Sequence, residues 1–327
     1  MTTAASPQPT LVGIAKMAAE SELLEAKRQV EYRELETKSW INKCAERPHI
    51  PFAWSINPYR GCEYACQYCY ARYTHEFMSL SPGADFETKI FAKEWSRSMF
   101  ATELRRIPRE EAIGLGTATD PYQPAERRYG LTRRVLECLA DDWGRTLYVT
   151  TKSDLVKRDA DLYQALGRRN RVVVNITITT LDPGLARLIE PRAPRPSLRM
   201  DAVEALAKAG VAVGVQASPV LPGINDSHDS LDQIAWAAKE AGARHFIAFP
   251  VFLKPCSMGV FLPFLRRNYP HLANRYQAVF ERDAFLRGEY PQTLKARVAG
   301  IRARYGLGSR EQGDPPAWQP QLPLFAA

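Results

Sequence analysis

From about residue 50 onward, short apolar runs alternate with longer stretches whose apolar positions recur every three or four residues. Phe52 to Asn57 reads as a strand, ended by Pro58 and Gly61. Glu111 to Thr117 is a second strand and Leu131 to Asp141 a helix. Thr146 to Thr151 is a third strand, followed by a helix over Asp159 to Leu166. The β-branched run Arg171 to Thr179 is a fourth strand, and Arg199 to Ala209 a helix stopped by Gly210. Val211 to Ala217, a helix over Asp229 to Glu240 and a last strand over His245 to Val251 complete six strands. Strands alternating with helices predict βαβ units around a parallel sheet, and their apolar character suits strands covered on both faces. Six such units predict an α/β fold, a partial (β/α)6 TIM-like barrel, with its chemistry at the C-terminal ends of the strands.

The flanks have a different texture. Residues 1 to about 20 are rich in Thr, Ala, Ser and Pro, and Ser21 to about Cys44 mixes Glu with Lys and Arg, which predicts a charged N-terminal helix. Residues 84 to 106 read mostly as helix, ending before Pro108. Residues 256–310 read as a helical C-terminal extension, and 311–320 as a Pro-containing linker. The expected organisation is thus an N-terminal segment over 1–45, a core over 50–255, a basic extension over 256–310, and a linker with a terminal peptide over 311–327.

Charge changes the picture in one place. The chain has 327 residues and a net charge of +8, yet residues 256–310 alone carry ten Lys or Arg against three acids, a net of +7. Phe261, Phe264, Tyr269, Tyr276, Phe280, Phe285, Tyr290 and Tyr305 interleave with that charge. Basic and stacking side chains together suit DNA or RNA; helices with solvated arginines and buried aromatics give the same pattern. There is no apolar run long enough for a membrane span, and Met1 to Met17 lacks a basic start followed by an apolar core, so neither a membrane partner nor a secretory signal is expected. Six cysteines in a chain this long are no disulfide framework; clustered, they suit metal binding in a reducing cytoplasm.

Three of those cysteines, Cys62, Cys66 and Cys69, fall within eight residues in the loop after the first strand. Three soft thiolates suit an iron–sulfur cluster or zinc, and a closed structural site normally has four ligands. Zinc would take Cys44, His75 or Cys256 as its fourth. The spacing C-x3-C-x2-C, with aromatic Tyr68 before the third cysteine, resembles the cluster loop of the radical S-adenosylmethionine (radical SAM) enzymes. The resemblance implies a [4Fe–4S] cluster on Cys62, Cys66 and Cys69, an open iron that binds S-adenosylmethionine, and reductive cleavage to a 5′-deoxyadenosyl radical. It also implies the radical SAM type of partial barrel and a reductant such as flavodoxin or ferredoxin.

The strand ends supply groups for the rest of such a cofactor. Thr119 and Asp120 suit its ammonium, Lys152 its carboxylate, Ser153, Thr177 or Gln216 its ribose, and the backbone near Tyr68 or the Val220–Leu221 stretch its adenine. The segments GTATDPYQPAE, TTKSDL, IEPRAP and PVLPGIND are similar to the spore photoproduct lyase branch of the superfamily, over about Trp54 to Pro255. Two departures stand out. Thr117 occupies the position of that lyase's hydrogen-donating cysteine, and Thr119-Asp120 replaces the superfamily's glycine–glycine–glutamate element. The implied activity is lyase-like radical chemistry on nucleic acid, akin to DNA repair. The same cofactor acting on a protein or small molecule, and a non-catalytic zinc-bearing nucleic-acid binder, are the other readings. Cys138 reads as a small buried hydrophobe and Cys256 as structural.

At the far end, Gln321-Leu322-Pro323-Leu324-Phe325 resembles the peptide by which bacterial polymerases and repair proteins bind the sliding clamp. Gln321 would make polar contacts, with Leu322, Leu324 and Phe325 as apolar anchors.

Overall fold

The computed structural model describes residues 11–27, 30–44 and 50–309; the Gln321–Phe325 peptide lies outside them. Its strands in chain order are β1 (Glu22–Lys27), β2 (Val30–Leu35), β3 (Ile41–Lys43), β4 (Trp54–Ile56), β5 (Tyr59–Arg60), β6 (Lys89–Lys93), β7 (Ile113–Leu115), β8 (Thr146–Thr151), β9 (Arg171–Thr177), β10 (Val213–Gln216) and β11 (His245–Ile247).

The six expected strands form one sheet in the order β11-β10-β9-β8-β7-β4, all parallel, with β3 added antiparallel at the β4 edge. Val172, Val173, Val174 and Ile176 of β9 are all buried, as expected for a strand covered on both sides. Helices Leu131–Ala140, Ala160–Gly167, Pro196–Lys208 and His228–Glu240 alternate with these strands, matching the sequence pattern to within a few residues. Among the described residues the sheet does not close into a barrel: β3 and β11 are its two edges. The β11 edge is capped by chain from the C-terminal extension, where Phe246 N–H donates to the Gly308 carbonyl at 3.1 Å.

The charged segment over 21–44 is corrected: it is β-structure. A short helix, Gly13–Ala19, precedes it. β1 and β2 form an antiparallel pair, β2 runs parallel to β6, and β6 pairs antiparallel with β5. Val30 and Tyr32 are buried on β2 and Leu35 ends it, so its apolar positions begin with the period of a strand. Helix propensity of Glu and Lys is a weak prior that this pairing overrides. The partner, β6, interrupts the helix expected over 84–106: Ile90 and Phe91 are fully buried, and only Ala84–Thr88 and Arg97–Arg105 flanking it are helical.

The extension is helical as expected, with helices Pro255–Asn268, Pro270–Phe280 and Glu289–Tyr305. Its aromatics divide. Phe261, Phe264, Tyr276 and Phe280 are buried in one apolar cluster with Cys62, Cys66 and Tyr68, so these four pack the core and are not stacking surfaces. The extension is therefore continuous with the floor of the cysteine loop.

Candidate active site

The cysteine loop hangs between the two sheets. β4 enters it, and β5 ties its first residues to β6. Gly61 turns the chain at φ +78°, and a Cβ there would meet the Lys89 carbonyl at 2.8 Å, so the sharp entry needs glycine. Asn57, just after β4, accepts from Thr117 N–H at 2.9 Å and Ala118 N–H at 2.7 Å, and so locks the loop's base to the chain just after β7. Buried Arg72 donates to the Cys66 carbonyl at 3.0 Å and pairs with Glu87 at 2.5 Å. From the far side, the Ser257 hydroxyl donates to the Cys69 carbonyl at 3.0 Å.

Cys62 and Cys66 are enclosed and Cys69 is half-buried, and burial pushes all three thiols above the ordinary cysteine range. For Cys62 the neighbouring Asp120 adds to the rise. Cys66 is pushed up to about 12 by burial, with Lys152 partly offsetting it. In Cys69, Arg72 opposes the burial.

Beside the thiols lies a buried ionic group. Glu190 Oε2 is 2.5 Å from Arg199 Nη1, and both side chains are about fully enclosed, at 0% and 1% exposure. Tyr68, next to Cys69, donates its hydroxyl to Glu190, and Thr179 donates to the same oxygen at 3.0 Å. Arg199 also donates to the Pro194 carbonyl at 2.8 Å and the Thr177 carbonyl at 3.1 Å. Burial works against the Glu190 charge, but Arg199 and then Lys152 hold its carboxyl below the usual range. Burial likewise opposes the Lys152 charge; Cys66 and Glu190 outweigh it and raise this ammonium's pKa. Lys152 Nζ stands 5.7 Å from the centre of the Tyr68 ring.

The residues singled out from the sequence occupy distinct places. Cys62, Cys66, Cys69, Tyr68, Asp120 and Lys152 converge. Asp120 accepts from Tyr122 N–H (2.9 Å), the Thr151 hydroxyl (2.6 Å) and Lys152 N–H (2.7 Å), which welds the ends of β7 and β8 together. Burial raises its pKa and those bonds oppose the rise. A carboxylate accepts about four bonds, so acceptor capacity remains on Asp120. Thr119 donates to the Gly61 carbonyl at 2.6 Å, making its hydroxyl a clamp on the cysteine loop, reinforced by Gln123. Ser153 caps the helical turn after β8 by accepting from Leu155 N–H at 3.3 Å. Thr177 and Gln216 lie side by side in register at the ends of β9 and β10. Val220 and Leu221 are fully buried.

The sequence assigns no role to Arg72, Gln123, Glu190, Arg199 or Tyr70, although Gln123, Glu190 and Arg199 stand in or beside the strand-end segments it picks out. Glu190 and Arg199 were visible as charges bracketing the Pro-rich segment after β9; nothing in their spacing announced that they pair. Tyr70 donates its hydroxyl to the carbonyl of Thr117, just after β7.

Comparison with known proteins accords with this arrangement. The family model of the Radical SAM superfamily matches residues 56–234. The chain is 36% identical over 294 residues to the uncharacterized protein Rv2578c of Mycobacterium tuberculosis, covering 90% of this chain and 86% of that one. It is 28% identical over 256 residues to the uncharacterized protein MJ0683 of Methanocaldococcus jannaschii, covering 77% and 90%. Among solved structures, spore photoproduct lyase complexed with dinucleoside spore photoproduct superposes with a TM-score of 0.63 at 13% identity, over 85% of this chain and 80% of that one; at this identity the likeness is one of fold. A cysteine loop at the mouth of an open parallel βα sheet, matched by its family model over more than half the chain, makes this protein a member of the radical SAM superfamily.

Proposed function

We propose that this radical SAM enzyme carries its [4Fe–4S] cluster on Cys62, Cys66 and Cys69, binds S-adenosylmethionine against Lys152, Asp120 and the Glu190–Arg199 pair, and acts on nucleic acid. The two cofactors are those of its family. When bound, they supply a 5′-deoxyadenosyl radical that abstracts hydrogen from a substrate.

The chain's own residues fit these groups. Cys62 and Cys66 are buried and Cys69 half-buried, and the three thiols would give up their protons to hold an iron–sulfur cluster. Lys152 is a cation with no hydrogen-bonded or ion-paired partner among the described residues, 5.7 Å from the Tyr68 ring, and suits a carboxylate. Arg199 Nη2 is buried without a hydrogen-bond partner in the same place. Asp120 has acceptor capacity left for an ammonium. The zinc reading loses one of its three candidate fourth ligands. Cys44 follows β3, whose Lys43 pairs with Trp54 at the start of β4, the end opposite the cysteine loop.

One observation carries the substrate class: the Ser257–Cys69 bond seats the +7 extension on the cysteine loop. Arg266 and Arg267 are carried on the same helix as Ser257, and such cations would hold a polyanion. Spore photoproduct lyase, of like fold, has been solved with a dinucleoside photoproduct, which supports a repair-like, lyase-like reaction here. The test is 5′-deoxyadenosine formation by anaerobic, dithionite-reduced enzyme with and without intact or damaged DNA and RNA. We expect nucleic acid to accelerate it. Turnover that no nucleic acid alters would refute the substrate class, and no 5′-deoxyadenosine at all would refute the cofactor assignment.

The terminal Gln321–Phe325 peptide is proposed as a tether to the bacterial sliding clamp. Clamp capture by the full chain should be lost on Leu324→Ala with Phe325→Ala; capture unaffected by that change would sink the idea.

A further inference from the structure

The chain after β9 carries Arg187, Arg192 and Arg195, the last two set among Pro191, Pro194 and Pro196. Each proline fixes one backbone angle, which stiffens the run. Hydrogen bonds tie it down as well. Gln67 N–H donates to the Ile189 carbonyl at 3.0 Å and Arg192 N–H to the Tyr64 carbonyl at 3.3 Å, so the run lies along the cysteine loop. Arg199 donates to the Pro194 carbonyl at 2.8 Å, and Arg187 to the Pro191 carbonyl.

This stiff run opens onto a cavity of about 350 Å³. Arg187, Arg192 and Arg195 line it, joined by Arg127 from the helical turn Glu126–Tyr129. The buried rings of Tyr64 and Tyr122 line it too, and Asp154 is the single acid in its wall. The lining thus carries a net charge of +3. Among the described residues, no ion pair joins Asp154 to these arginines, and the side chains of Arg127, Arg192 and Arg195 make no hydrogen bond. All four arginines keep contact with solvent. Like charges gathered in one concavity repel each other, so this arrangement adds nothing to the stability of the fold.

The chemistry of the lining selects the occupant. A guanidinium presents a planar fork of donors that matches phosphate oxygens. One carboxylate accepts about four bonds, enough for two forks, so four forks call for the oxygens of phosphate. S-adenosylmethionine has no phosphate, and neither the cluster cysteines nor Asp120 and Lys152 line the cavity, so the cofactor does not account for it. The volume lies at the lower end for a small-ligand pocket and admits a phosphate with its sugar. We infer that this cavity binds phosphate of the substrate beside the cysteine loop, supplied by a nucleic-acid strand or by a free nucleotide. The site is separate from the cations of residues 256–310.

Fluorescence anisotropy of the full chain with three labelled probes tests this: a single-stranded oligonucleotide, the same sequence with neutral methylphosphonate linkages, and a mononucleotide. Arg192→Gln with Arg195→Gln removes side chains that bond nothing in the chain, so this variant should melt like the parent. It should weaken a phosphate-bearing probe about tenfold or more and leave the methylphosphonate strand unaffected. Weakening of the oligonucleotide, with a salt slope lower by about one or two, identifies a strand phosphate; weakening confined to the mononucleotide identifies a free nucleotide. Arg192→Lys with Arg195→Lys, which keeps the charge without the forks, should recover part of the loss. Parent affinity for both charged probes in the Gln variant would overturn the cavity site. The nucleic-acid reading would then stand on its own if Arg266→Gln with Arg267→Gln weakened the strand. A parent chain that binds neither charged probe would bring down both.

Discussion

Two buried ionic clusters stand near the mouth of the sheet, and they differ in completeness. In the first, Glu126 accepts from the Tyr59 hydroxyl (2.6 Å), Thr132 N–H (2.8 Å), Arg133 N–H (3.2 Å) and Arg158 (2.7 Å). Asp159 accepts from Arg133 (2.7 Å), Tyr122 (3.0 Å) and twice from Arg158 (2.9 and 2.8 Å). Both carboxylates are filled, with about four bonds each. In the second, Glu190 pairs with Arg199, but Arg199 Nη2 has no hydrogen-bond partner, and the Lys152 ammonium, within the field of Glu190 and Asp120, hydrogen-bonds to neither and stands 5.7 Å from the Tyr68 ring. An unmet buried polar group is expensive to keep. The filled cluster explains itself as scaffold, whereas the unfilled one makes sense as half of a binding site whose other half arrives with the cofactor.

The sharpest break between scaffold and site comes from the cysteines. Cys66→Ala should drop iron from about four per chain to background and abolish 5′-deoxyadenosine formation, whereas Cys138→Ala, in a helix away from the loop, should retain both; iron analysis and turnover check this. Glu126→Gln tests the filled cluster. Removing one partner of a buried pair should destabilise the fold by about 3 kcal/mol, the low end of the usual range because Arg158 is 30% exposed and keeps Asp159. Denaturant unfolding measures this, with cofactor affinity unmoved.

A comparable effect comes from His75, fully buried between Phe86 and Phe91 and lowered to about 4 by burial. The folded state keeps this ring neutral while the unfolded state takes a proton near 6.5. Its stabilising contribution is therefore full above the unfolded pKa and is lost as pH falls towards 4, by about 3 kcal/mol in all. Unfolding curves across that window should show the loss, and His75→Gln should flatten it.

Much of the fold was legible because the parallel strands are continuous apolar runs and their helices are amphipathic. Cys62, Cys66 and Cys69 were legible because they are near neighbours in the chain. The β2–β6 pairing was not: Val30 and Tyr32 carry a strand period inside a segment of Glu, Lys and Arg, and the partner is about 60 residues away. The same limit hid the polar half of the site. Glu190, Arg199 and Tyr68 meet only when three strand ends are brought together, and Thr119 reads as a ligand until the Gly61 carbonyl is seen beside it. The aromatics of the extension looked alike in sequence; only folding separates buried Phe261 and Phe264 from exposed Phe285.

The central claim, that the unfilled cluster is the cofactor site, is tested most directly by titrating S-adenosylmethionine into anaerobic, iron-loaded protein and following heat. Lys152→Met should weaken binding by about tenfold or more, the loss of one charge-assisted bond, with the iron retained and the melting temperature close to the parent's. Equal affinity in Lys152→Met, or a loss of affinity that appears instead in Glu126→Gln, would contradict the account.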